Sequence, residues 1–104
     1  MLLNHVLTQT AWTVACRDGQ HAPAELARDG FLHCCRPEQL PFVLGRHFAG
    51  VTGLIVLTFE TEDLDNAIRW VSSEPDQAPF PHLYAPIPCS AVRAATPPDN
   101  PLPA

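Results

Sequence analysis

Three of the five histidines in this 104-residue chain stand inside runs where apolar residues are expected: His5 in "LNHVL", His33 in "GFLHCC" and His82 in "PFPHLYAP". Imidazole, with an ordinary pKa near 6.5, can donate, accept or ligate a metal around neutral pH. Three such rings opening onto one cleft could hold a ligand's hydroxyl groups and pass protons. Taken singly, each reads as a core histidine that finds a hydrogen-bond partner.

Strand alternation sharpens the reading of "DGFLHCCRPEQL", residues 29–40. Phe31, His33 and Cys35 point one way, Leu32 and Cys34 the other, which makes one cysteine inward and one outward. His82 and Tyr84 lie between Pro79, Pro81, Pro86 and Pro88, which stiffen a loop that could present an imidazole and a phenol at low entropic cost. His5 shares its strand face with Leu3 and Leu7, as a satisfied core histidine would. His21 falls in a loop, and His47 near a helix C-terminus, where an imidazolium meets the dipole favourably.

Metal and redox motifs are weak by comparison. A zinc site from His5, His33, His82 and a cysteine would need a convergence that no local spacing implies, so no metal is expected. Cys16, Cys34, Cys35 and Cys89 contain no C-x-x-C pair, and without a secretion signal they read as free thiols. Glu60, Glu62, Asp63 and Asp65 read as a solvated turn.

The elements that must position these residues follow from pattern. "LLNHVLT" at 2–8 reads as a first strand, with Thr8 or Thr10 capping a helix through Trp12 that Gly19 stops. A short helical turn runs from Pro23 to Gly30, and "FLHCC" resumes as strand. A helix from Pro37 carries Leu40, Val43, Leu44 and Phe48 on one face, with Pro41 in its first turn. "LIVLTFE" at 54–60 is a strand buried on both faces. "AIRWV" at 67–71 is another strand, with Ile68 and Trp70 on one face. Residues 72–81 read as a loop and "AVRAA" at 91–95 as a last strand. Together these make an α+β domain over residues 1–95, a mixed, mostly antiparallel sheet of about five strands with about two principal helices. A proline-rich tail at 96–104 is expected to be disordered.

Composition narrows the function classes. Charged residues make up 16% of the chain and the formal charge is −5, with only six Lys and Arg residues, which argues against a nucleic-acid backbone as partner. The longest apolar run, Leu54 to Leu57, is far short of the ~20 residues that cross a bilayer. The N-terminal stretch lacks the features of a signal peptide, so a cytoplasmic protein is expected.

The segments "NHVLTQTAW" (4–12), "DGFLHCCRPEQL" (29–40), "RHFAG" (46–50), "LIVLTFETEDL" (54–64), "IRW" (68–70) and "PFPHLYAPI" (79–87) resemble DUF952, a family of small bacterial proteins of unknown function. The resemblance spans nearly the whole chain to about Ala95. It implies an ADP-ribosyltransferase-like fold, a superfamily that places an early-strand histidine beside the nicotinamide ribose of NAD. By position His5 looks like that histidine, and His33 and His82 occupy the family's other two histidine positions. The implied ligand is a small nucleotide-like molecule, with NAD the cofactor the resemblance suggests. His5 or His33 would orient it, His82 would act as donor or general acid, and Tyr84, Phe31 and Trp70 would stack or donate. Two departures stand out: Val71 follows Trp70 where the family tends to have an acid, with Glu74 and Asp76 the nearest substitutes, and Ala85 replaces a glycine. The competing expectation is a noncatalytic ligand-sensing or protein-interaction domain in which the histidines are structural. Oligomeric state is not legible in the sequence.

Overall fold

The first strand forms where the sequence reading put it, β1 at Leu2–Thr8, and Thr8 ends it by accepting a hydrogen bond from the Ala11 N–H at 3.0 Å, which caps α1 (Gln9–Asp18). The computed structural model describes residues 1–72, 75 and 77–98. Gly19 closes α1 with φ of +86°, a left-handed conformation that disfavours any side chain. β2 (Gln20–His21), α2 (Ala24–Asp29), β3 (Leu32–His33) and α3 (Leu40–His47) follow. The second half is β4 (Leu54–Glu60), β5 (Ile68–Val71), β6 (Phe80–Leu83), β7 (Ile87–Pro88) and β8 (Val92–Thr96).

The result is α+β, but the described residues form eight strands in three antiparallel sheets and three α-helices, rather than about five strands and two helices. β2, β3 and β7 have two residues each, too short for any periodicity to show. The sheets run in the orders β1-β4-β8, β2-β7 and β3-β6-β5. Phe80 and Pro81, expected in a loop, begin β6, so His82 stands on a strand between β3 and β5. The helix expected from Pro37 opens as a 3-10 turn, Pro37–Gln39, and Pro41 sits in the first turn of α3 as expected.

β4 is buried along nearly its whole length because a core lies on each side of it. Leu3 and Leu7 of β1 pack with Ile55, Leu57 and Phe59 on one side, joined by Leu32, Leu83 and Ile87. Val6, Leu54 and Val56 face the other side, which α3 closes with Leu40, Val43 and Leu44. The Asn4–Cys35 bridge joins β1 to the chain after β3, through hydrogen bonds of 2.7 and 2.9 Å. Cys34 therefore enters the first core and Cys35 the second. The two cysteines do point apart, but Cys35 is buried rather than outward, because α3 covers the face it turns to. Among the described residues no helix is long and apolar enough to cross a membrane.

Candidate functional site

His5 lies in the middle of β1 on the side of Leu3 and Leu7, and is 2% exposed. Its Nδ1 is 2.7 Å from the backbone carbonyl of His33, which can only accept, so Nδ1 carries the proton and Nε2 is left as an acceptor. That acceptor faces His21 Nε2 at 3.1 Å, so His21 is the donor. Burial pushes His5 below its usual pKa against the opposing pull of the His33 carbonyl. Burial, followed by the neighbouring His5, takes His21 down to about 4. Both rings are neutral near pH 7.

The second group lies on the outer face of the β3-β6-β5 sheet. Leu32 pairs with Leu83 and Leu83 with Ile68, turning one face to the core. In the next row His33 pairs with His82, and His82 with Arg69. Directly paired residues share a face, so His33, His82 and Arg69 form a row across three strands, turned away from the core. Phe31 stacks on His82 with ring centres 3.9 Å apart and planes 6° from parallel. Tyr84 closes the same patch, 5.4 Å from Phe31 and 5.9 Å from the Arg69 guanidinium.

Glu25 anchors one end of that row. It stands in the first turn of α2, and Gly30, with φ of +84°, turns the chain back so that β3 passes beneath it. Its carboxylate lies 3.4 Å from His33 Nδ1. The contact holds Glu25 below its usual range and raises His33 above 6.5. His82 moves the other way, lowered by partial burial and then by His33. The two rings, 5.7 Å apart, thus lean opposite ways in proton affinity, an arrangement that suits His33 to donate a proton and His82 to accept it.

The structure brings His33, His82, Phe31 and Tyr84 together and sets His5 apart, since the His5 ring meets His21 rather than the other two expected histidines. Trp70, one residue beyond Arg69, projects to the other side of β5, with the Arg36 guanidinium 6.0 Å over its ring. Glu74 and Asp76 lie outside the described residues. His21, Glu25 and Arg69 were missed. The pairing of Gly30 with a short helix eight residues ahead of His33 could have indicated Glu25; nothing local marked His21. Donor atoms of Glu25, Asp29 and His33 fall within 4.8 Å of one another, although Asp29 is also engaged by Arg28 at 3.0 Å. The His33–His82 face is open, with the His33 side chain 62% exposed. One cleft of about 420 Å³ lies instead by Trp12, Cys16 and Cys89, and another of about 240 Å³ by Val14, His21 and Pro23.

Residues 6–95 match the family described as protein of unknown function, DUF952. The chain belongs to the DUF952 family. Protein CC0527 from Caulobacter crescentus has a crystal structure with a TM-score of 0.81 at 31% identity, covering 92% of this chain and 84% of that one. A double-mutant crystal form of CC0527 gives 0.81 at 30%, and its solution NMR structure 0.76 at 32%, the latter covering 91% and 82% of the two chains. No curated protein matches the chain. The DUF952 assignment thus confirms the family resemblance and carries no activity with it.

Proposed function

We propose that this DUF952 domain binds a small nucleotide-like ligand on the outer face of the β3-β6-β5 sheet. The observation that carries this reading is the cross-strand row His33–His82–Arg69, flanked by Phe31 and Tyr84. Guanidinium and imidazolium groups suit a phosphate, and the exposed rings suit stacking on a flat base. His33, held by Glu25, would serve as the donor toward a ligand oxygen, and His82, biased to its neutral form, as the acceptor. His5 has a supporting part in this reading, since its ring fixes the backbone of His33. An ADP-ribose-transferring activity on NAD is the enzymatic form of the proposal.

A thermal-shift series with NAD, ADP-ribose, AMP and inorganic phosphate tests it, followed by NMR of the histidine rings. A true ligand at 100 times its Kd raises stability by about 2.7 kcal/mol. It should move the His33 and His82 resonances while leaving those of His5 and His21 in place. No stabilisation by any nucleotide, or one unaffected by Arg69→Ala and His82→Ala, would defeat the reading.

A further inference from the structure

The four cysteines divide into two kinds. Cys34 and Cys35 are buried, and burial pushes both thiols up, Cys35 to about 12, so neither supplies thiolate near neutral pH. Cys16 and Cys89 are far apart in sequence yet line the same open cleft of about 420 Å³. Cys16 is exposed near the end of α1, and Cys89 is half-buried at the start of the helical turn Cys89–Ala91. The Cys89 thiol donates to the carbonyl of Ala15, 3.1 Å away, the carbonyl of the peptide bond that leads into Cys16. Burial first, and the neighbouring Cys16 second, raise the Cys89 thiol.

The same two residues flank one short ribbon. Cys16 comes just before β2 and Cys89 just after β7, the two strands that pair with each other, and the Cys89 N–H donates to the Gly19 carbonyl at 3.0 Å. β2 carries His21, the partner of His5. A covalent link between the two sulfurs would therefore tie α1 to the end of the ribbon where β2 starts and β7 finishes.

We propose that Cys16 and Cys89 are a reversible redox modification site, closing to an intramolecular disulfide when the protein meets a hydroperoxide. Exposed Cys16, as thiolate, attacks one peroxide oxygen; the O–O bond breaks, the sulfur becomes a sulfenic acid, and the other oxygen leaves as an alcohol or water after taking a proton. The Cys89 thiol then attacks the Cys16 sulfur as its proton passes to the leaving oxygen, the S–O bond breaks, and that oxygen leaves as water. Two thiols lose two electrons and one hydroperoxide gains them. A small-molecule thiol reverses the link by exchange, itself becoming a disulfide.

The test treats the full chain with a small excess of hydrogen peroxide, blocks the remaining thiols, digests with trypsin and reads the fragments by mass. The expected product joins the fragment ending at Arg17 to the fragment ending at Arg93, with two hydrogens lost per chain. The oxidised protein should melt on the order of 10 °C higher, since the link closes a long loop of the unfolded chain, and dithiothreitol should reverse the change. Cys16→Ser and Cys89→Ser should each abolish both effects while leaving the unoxidised melting temperature little changed. Links to Cys34 or Cys35, links between two chains, or over-oxidation of Cys16 with no link to Cys89 would each overturn the proposal.

Discussion

His5–His21 and His33–His82 are both imidazole pairs, with ring centres 5.1 and 5.7 Å apart and planes tilted by 47° and 59°. Their chemistry is nonetheless opposite. In the first pair the rings are buried and spend their facing nitrogens on each other, while His5 Nδ1 is spent on the His33 carbonyl. In the second, the sheet turns the rings outward, with Glu25 at His33 and Phe31 stacked on His82. The Glu25 charge favours protonation of His5, His21 and His33 alike. Desolvation outweighs it at the first two, whereas a direct hydrogen bond lets it prevail at His33. Distance between rings therefore says little; access of water to them decides the role.

The largest effect should come from breaking the buried pair. His5→Ala removes a core side chain and leaves the His33 carbonyl and the His21 Nε2–H without partners, so a loss of about 3 kcal/mol is expected in urea unfolding. A variant within 0.5 kcal/mol of the parent would mean that the pair does not hold the core together.

The buried pair should also set the acid limb of stability. His5 and His21 are depressed in the folded state, so below about 6.5 the unfolded chain binds more protons and stability falls with pH. For His21 the fall continues to its folded value of about 4, a loss on the order of 2–3 kcal/mol. His33 acts in the other sense: its folded pKa is raised, so its contribution is full below 6.5 and disappears as pH rises through the folded value. His21→Gln should flatten the limb between pH 6.5 and 4. An unchanged slope in that window would show that His21 titrates freely in the folded protein.

Much of this was legible in the sequence, and the failures have physical reasons. β1, β4 and the Thr8 and Gly19 caps follow from local pattern because long strands and helix ends carry their own signals. Leu3 and Leu7 marked His5 as a core residue, and alternation in "FLHCC" separated the buried Leu32 and Cys34 from the exposed His33. That Cys35 is also buried depends on α3 covering the second face, which alternation within β3 cannot reveal. The partnership of His5 with His21 rests on β2, two residues long and defined by its pairing with β7, so it belongs to tertiary structure alone. The same holds for Arg69, whose place beside His82 is a matter of register between β5 and β6.

The next effect is smaller and separates the members of the open pair. Histidine ring titration by NMR should place the His33 midpoint above 6.5 and that of His82 below it. Glu25→Gln keeps the size of the side chain and removes its charge, so the His33 midpoint should fall. His82 should then rise slightly, because a less protonated His33 repels its proton less. If His33 keeps its raised midpoint in the variant, the 3.4 Å contact is not what tunes it.

The smallest expected effect is the most direct check on the contrast between the pairs. His82→Ala removes a half-exposed ring and its stack on Phe31, an interaction of about 0.5–1 kcal/mol, and leaves no buried polar group without a partner. Its cost in the same urea measurement should therefore be about a third or less of that of His5→Ala. Equal costs would place His82 in the same structural class as His5. A small cost accompanied by lost nucleotide stabilisation would leave the outer face of the sheet as the place where this fold has imidazoles to spare for a ligand.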